Sequence, residues 1–164
     1  MDVLRIAASF CSFLSLLLLI IGMASDYWTG SRTDSTGVGL WRVCSGITCT
    51  SYSMNDLYGY MHATRAFLLM GMFAGAASFF SLCASFYRPK IGSISTALLA
   101  VLASIAAGVC SLIAMASFTG VSIAQYMGLW GIFRWSFGLA WASFPLFLIT
   151  GGLAYMVVRR TTEE

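Results

Sequence analysis

Two cysteines close together, Cys44 and Cys49, stand in a polar passage that reads Gly39-Leu40-Trp41-Arg42-Val43-Cys44-Ser45-Gly46-Ile47-Thr48-Cys49. Thiols at that spacing could form a redox couple, hold part of a metal site or close a disulfide. Other chemistry is scarce. His62 is the only histidine, too few for a histidine metal cluster and without an acidic residue at helical spacing after it to make a proton relay. Serine and threonine are plentiful, yet a nucleophilic hydroxyl needs a base and an orienting group, and the apolar stretches supply none. The residues predict no catalytic site, no cofactor, no metal and no small-molecule substrate. His62 reads as an interfacial polar residue.

Five cysteines allow at most two pairs. Cys11, Cys83 and Cys110 fall inside apolar runs, where lone thiols behave as small hydrophobes. One disulfide, Cys44 with Cys49, and three buried thiols are expected. A pair in this loop would mark an oxidising face, the lumen or the cell exterior in a membrane protein.

The elements that carry these residues follow from composition. The chain has 164 residues, of which 59% are hydrophobic and 9% charged, with mean hydropathy +0.86. A soluble globule carries about 25% charged residues, so this is a membrane protein. The net charge of +3 is too small and scattered for a nucleic-acid surface.

Four uncharged runs approach or exceed the roughly 20 residues that cross a bilayer core: about 6–24, 66–87, 91–118 and 136–158. The first competes with a cleaved signal peptide, but its apolar core is longer than such signals use. The chain therefore reads as one four-span membrane domain over residues 1–164, with outer loops at about 25–60 and 119–134. Asp26, Tyr27 and Trp28 end the first span with residue types that settle at the interface. Within the larger loop, Val38 to Cys44 alternates like a short strand, and Ile47-Thr48-Cys49 suits a return strand. A closure this short is worth about 2 kcal/mol by chain entropy and shapes the loop more than it stabilises the fold.

Gly71 and Gly75 form a GxxxG pattern, read as a helix-packing seam facing either the bundle or another protomer. Arg88-Pro89-Lys90 is a very short basic turn that makes spans two and three antiparallel neighbours. Pro145 removes a hydrogen bond within span four and predicts a kink. Arg65 and Arg134 each sit where a span meets the outer side. Snorkelling to headgroups is the default for them; the alternative is that one fixes the outer loop through loop carbonyls or Asp26. Cys83, near the basic turn, is open to S-acylation, although a free thiol is the simpler state. Arg5, Arg88, Lys90, Arg159 and Arg160 on one side against Arg32, Arg42, Arg65 and Arg134 on the other favour cytoplasmic termini weakly. The cysteine pair agrees. The basic residues read as topology determinants, below the density of a lipid-specific cluster. No span buries an acidic residue, lysine or histidine of the kind an ion pathway uses.

Trp28, then Gly39-Leu40-Trp41, then Cys44 and Cys49 between spans one and two, resembles the W…GLW…C…C hallmark of the claudin and peripheral-myelin-protein-22/epithelial-membrane-protein/lens-MP20 superfamily. His62 to Phe67 and Phe133 to Phe137 with Trp141 resemble its entries to spans two and four. The resemblance implies a claudin-like fold, an all-α left-handed bundle of four transmembrane helices bearing a small disulfide-stapled extracellular β-sheet. Cys44–Cys49 would be its disulfide, Trp28 would mark the start of the sheet, and Trp41 would pack at its membrane face. It implies a structural or adhesive role at cell junctions in the plasma membrane, both termini cytoplasmic, with the lipid bilayer and other membrane proteins in cis or trans, a second copy included, as partners. An auxiliary or trafficking subunit of another membrane protein or vesicle is the alternative.

Three departures stand out. The outer loop of about 36 residues is short for a classical claudin, which weakens a paracellular pore whose charges would be Asp34, Arg42 and Asp56. Thr162-Glu163-Glu164 does not suit PDZ binding. Asn55, followed by Asp-Leu, makes no glycosylation sequon.

Overall fold

A computed structural model describes residues 2–31, 35–53, 58–88, 90–91, 94–125 and 131–163. Arg32, Asp34, Asn55, Asp56, Pro89 and Glu164, which enter the sequence reading, lie outside these. The chain builds four long helices and seven short strands among the described residues: α1 Asp2–Ala24, β1 Thr29–Ser31, β2 Thr36–Val38, β3 Arg42–Ser45, β4 Thr48–Ser51, α2 Gly59–Ala84, β5 Lys90–Ile91, β6 Ile94–Ser95, α3 Thr96–Gln125, β7 Gly131–Phe133 and α4 Trp135–Glu163. All four helices are long and apolar enough to cross a membrane.

Each helix buries one stripe whose spacing alternates three and four residues. On α1 it is Ala8, Ser12, Ser15, Leu19 and Gly22; on α2, Met61, Thr64, Leu68, Gly71, Gly75, Ser78 and Leu82. On α3 it is Ala97, Val101, Ser104, Gly108, Ser111, Met115, Phe118 and Ser122; on α4, Ser136, Ala140, Ser143, Phe147, Thr150, Ala154 and Val157. A period of 3.5 residues keeps one seam facing its neighbours only if the helices coil left-handedly. Glycine, alanine, serine and threonine dominate the stripes, which lets the backbones approach. The bulky residues Phe10, Phe13, Phe73, Phe80 and Leu102 face outward, where lipid is as apolar as any protein core.

Inside, several hydroxyls turn to backbone carbonyls, while those of Ser12 and Ser111 are buried without a partner. Ser78 donates across to Ala100 O at 3.1 Å, and Ser15 and Thr150 donate to Cys11 O and Leu146 O one turn back. In an apolar medium a hydroxyl without a partner is costly, so these bonds let the stripe stay small and polar. α2 packs on α3, α1 on α4 and α3 on α4, with a thinner contact between α1 and α2.

Strands β4-β3-β2-β1-β7 form one antiparallel sheet in that order at the end of the bundle away from the termini. The strand in the larger loop is shorter than the expected Val38–Cys44. The chain bends at Gly39-Leu40-Trp41 and begins β3 at Arg42.

Helix bounds also differ from the expected spans. α2 begins at Gly59, so Arg65 lies in its second turn rather than before it. α3 runs on to Gln125, making residues 119–125 helical. The basic connection between α2 and α3 is a two-stranded hairpin, with Lys90 opposite Ser95 and Ile91 opposite Ile94, and α3 starts at Thr96 rather than Ile91. A proline at position 89 cannot continue a helix and pushes Arg88 towards extended backbone, which favours strands there. Pro145 lies inside α4, which runs through it.

Candidate functional site

The sheet is held to the bundle by the carbonyls that a helix leaves open at its C-terminus. α1 ends at Ala24, and three of its last carbonyls find donors beyond the helix. Ser25 gives both its backbone N–H, at 3.1 Å, and its hydroxyl, at 2.8 Å, to Ile21 O. Trp28 turns back and donates its indole Nε1–H to Gly22 O at 2.7 Å. Trp41 donates its own to Met23 O at 3.1 Å. Two tryptophans separated by 13 positions thus cap one helix. Trp28 is fully buried, edge-on to Phe118 of α3 at 4.9 Å and to Phe137 of α4 at 5.9 Å between ring centroids. It precedes β1, and its backbone N–H pairs with Val38 O at 3.0 Å.

Gly39, Leu40 and Trp41 each meet a different demand at the bend between β2 and β3. A Cβ on residue 39 would lie 2.5 Å from Asp26 Cα, so only glycine lets the two strands of chain pass. Leu40 is completely buried in the core that joins sheet to bundle. Its carbonyl accepts from Arg65 Nε at 2.9 Å and from Arg65 Nη2 as well. The Arg65 guanidinium also lies 4.7 Å from the Trp41 ring centroid and 5.7 Å from that of Tyr52. Trp41, with its cap on α1 and a guanidinium above it, forms the base of the sheet. Tyr52 lies in the same cluster; burial raises its phenol pKa first, the Tyr60 and Asp26 charges add to that, and Arg65 opposes.

Arg134 fastens the opposite side. Its backbone N–H donates to Trp28 O at 2.9 Å and its Nη2 to Ser31 O at 3.0 Å, while Ser136 Oγ donates to Tyr27 O. Both arginines therefore bond loop carbonyls rather than reaching away to headgroups. Asp26 pairs with neither; its partner is Arg42, at 2.7 Å. That pair is half exposed at the arginine and worth about 0–1 kcal/mol.

Beyond these anchors the hairpin β3–β4 projects outward. Cys44 and Cys49 are direct cross-strand partners and form a disulfide. The turn between them carries Gly46 at φ +61°, a conformation that favours glycine, and a fully exposed Ile47. Every residue of β4 is exposed, and among the described residues β4 is one of the two edge strands of the sheet.

The other sequence-predicted residues lie elsewhere. Gly71 faces α3, where an added Cβ would meet Ser111 Oγ at 3.3 Å; at Gly75 it would meet Phe147 Cζ of α4 at 2.8 Å and Leu16 Cδ1 of α1 at 3.3 Å. Their seam is occupied within the chain. Cys11, Cys83 and Cys110 are free but half-buried rather than buried. Cys11 and Cys110 each sit one position off an inward stripe, and Cys83 lies near the end of α2. His62 is exposed. Among the described residues no three His, Cys, Asp or Glu side chains converge as a metal site. Sequence reasoning missed β7 and the tryptophan caps. Two indoles soon after the end of a helix with open carbonyls were the available signal for the caps.

Comparison with known proteins matches residues 1–154 to the PMP-22/EMP/MP20/Claudin family. The human lens fiber membrane intrinsic protein (Homo sapiens) is 29% identical over 160 residues, covering 94% of this chain and 90% of that protein. Protein NKG7 of Bos taurus is 31% identical over 163 residues, covering 94% and 91%. Protein NKG7 of Mus musculus is 28% identical over 172 residues, covering 100% and 99%.

Proposed function

The chain belongs to the PMP-22/EMP/MP20/Claudin family, and from that premise we propose that it is a non-enzymatic plasma-membrane protein that organises cell–cell contacts through its stapled sheet. The observation that carries this reading is the rigid attachment of the sheet to the bundle. Trp28, Trp41, Arg65 and Arg134 fix its base, so the exposed edge β4 and Ile47 are presented in one orientation. Preorganisation of this kind lowers the entropy cost of meeting a partner.

A disulfide forms and persists on an oxidising face, so the sheet lies outside the cell and both termini in the cytoplasm. Likeness to proteins named for the lens fiber membrane makes the eye lens one setting for such contacts. Non-adhesive cells expressing the chain should aggregate when it reaches the surface. Cells carrying the Cys44→Ser/Cys49→Ser pair or Ile47→Asp, delivered equally well, should aggregate less. Proximity labelling from the hairpin tip should then mark proteins of the apposed cell. No aggregation by the intact chain, with labelling confined to its own membrane, would replace adhesion with the auxiliary-subunit role.

A further inference from the structure

The two sulfurs of the hairpin disulfide meet different surroundings. Cys44 and Cys49 face each other directly across β3 and β4, and Gly37 of β2 lies opposite Cys44 on its other side. Gly37, Cys44 and Cys49 thus form one row on one face of the sheet. Cys44 is 4% exposed, whereas Cys49 is exposed. The space over Gly37 is taken, since a Cβ there would meet Tyr27 Cδ1 at 2.9 Å. At Cys49 the row ends, because among the described residues no strand pairs with the outer side of β4. Tyr52 donates its backbone N–H to Trp41 O at 3.3 Å, which makes those two a hydrogen-bonded pair. Alternation along the ladder then makes Cys44 and Cys49 a non-hydrogen-bonded pair. The N–H and C=O of Cys49 therefore point off the sheet at its edge.

We propose that Cys49 Sγ is the point of attack for a dithiol oxidoreductase on the sheet side of the membrane, which opens the staple reversibly. Exposed disulfides are the labile ones, and which sulfur is attacked depends on access. A thiolate displaces a disulfide sulfur in line, approaching opposite the sulfur that leaves. Attack on Cys49 Sγ comes from the open edge, while attack on Cys44 Sγ would have to pass over Gly37, where the Tyr27 ring lies. An extended segment of the oxidoreductase can pair with the outward N–H and C=O of Cys49 as an added strand, which brings its thiolate to that sulfur. The first thiolate forms a mixed disulfide with Cys49 and releases Cys44 as a thiolate, which takes up a proton. The oxidoreductase's second thiolate then attacks its own sulfur in the mixed disulfide and releases Cys49, which is protonated in turn. Two electrons and two protons pass to this chain, and the dithiol becomes a disulfide. Trp28, Trp41, Arg65 and Arg134 hold the base of the sheet without the staple, so reduction loosens the hairpin and leaves the bundle intact. The step needs no adhesive partner and stands apart from that role.

The test uses the purified full chain in nanodiscs and a reduced thioredoxin whose second active-site cysteine is replaced by serine, so that the reaction stops at the mixed disulfide. After acid quench and alkylation, peptide mass spectrometry reads which cysteine carries the adduct. Cys49 should exceed Cys44 by about tenfold or more, a difference of about 1.4 kcal/mol in barrier. Equal adducts, or an excess on Cys44, overturn the assigned atom, and no adduct while dithiothreitol reduces the same bond overturns the site. Ser51→Pro removes an N–H that points off the edge and none that bonds β3. It should slow thioredoxin by about tenfold, the loss of one hydrogen bond, and leave reduction by dithiothreitol unchanged. An unchanged rate with thioredoxin overturns docking along the edge, as does equal slowing of both reagents, which would place the loss in the hairpin itself. With intact thioredoxin, hydrogen exchange should rise in residues 42–51 and stay unchanged in the four helices; lost protection in the helices overturns a local opening.

Discussion

Replacing Arg65 by methionine keeps much of the side-chain length and removes every donor. In the folded chain the Leu40 carbonyl accepts twice from that guanidinium, and both residues are buried. Water cannot replace the lost donors without opening the core around Trp28 and Leu40. A buried carbonyl left unpaired costs about 1–3 kcal/mol, and loss of the cation over the half-exposed Trp41 ring adds about 0.5–1 kcal/mol. Together they come to about 2–4 kcal/mol, and the loss falls on the attachment of the sheet because the inter-helix stripes are untouched. At 1.4 kcal/mol per tenfold, local opening of the sheet should rise roughly 30-fold to 1,000-fold. Hydrogen exchange of the full chain in nanodiscs, read on peptides covering residues 36–53, measures this directly. Arg65→Lys should fall between, since an ammonium is a point donor and not a fork. Unchanged exchange in that segment would refute the anchoring role. A uniform loss of protection through all four helices would show instead that Arg65 supports the core.

Gly75→Ala should destabilise the bundle by about 1–3 kcal/mol, because the new methyl meets the buried Phe147 ring. Gly152→Ala, with nothing within 4 Å, should be neutral or stabilising in the same thermal melts. Trp28→Phe keeps an aromatic ring against Phe118 and Phe137 but uncaps Gly22 O, costing about 1–2 kcal/mol; a melting temperature equal to wild type would remove the cap from the account. Tyr52 has its phenol pKa raised above the unfolded value of 10.0, chiefly by burial, and donates to Gly39 O at 3.4 Å. A raised folded pKa contributes stability that is complete below the unfolded pKa and lost as pH climbs through the folded one. The sheet should therefore loosen above about pH 10, and Tyr52→Phe should flatten that part of the pH profile.

Much of the fold was legible in the chain because the bilayer imposes length. Four uncharged runs have the length and composition of spans, and helix is the state that satisfies their backbones in lipid. The family hallmark was legible too, since Trp28, Trp41, Cys44 and Cys49 are the only tryptophans and cysteines in the loop at 25–60. Span ends were read less well. Arg65 was placed before α2 because charge counts against a membrane helix, yet its guanidinium is paired with Leu40 O inside the protein and the helix runs past it. Residues 119–125 read as loop because Thr119, Gly120 and Ser122 are polar or small; Thr119 Oγ1 bonds Met115 O at 2.6 Å and stays helical.

By itself the sequence determined four apolar runs of spanning length, a cysteine pair between the first two, and a resemblance to the PMP-22/EMP/MP20/Claudin family. Only the tertiary structure decided which face of each helix turns inward. Lipid and core are equally apolar, so hydrophobicity carries no inward signal, and the seams are marked instead by small residues that are common throughout such helices. It also decided that Gly71 and Gly75 serve their own bundle and that the two motif tryptophans cap α1. The joining of β7 to β1, and of Arg134 to Ser31 at a separation of 103 residues, was likewise settled in space. Those contacts depend on where α3 returns the chain, and no local pattern of residues records that.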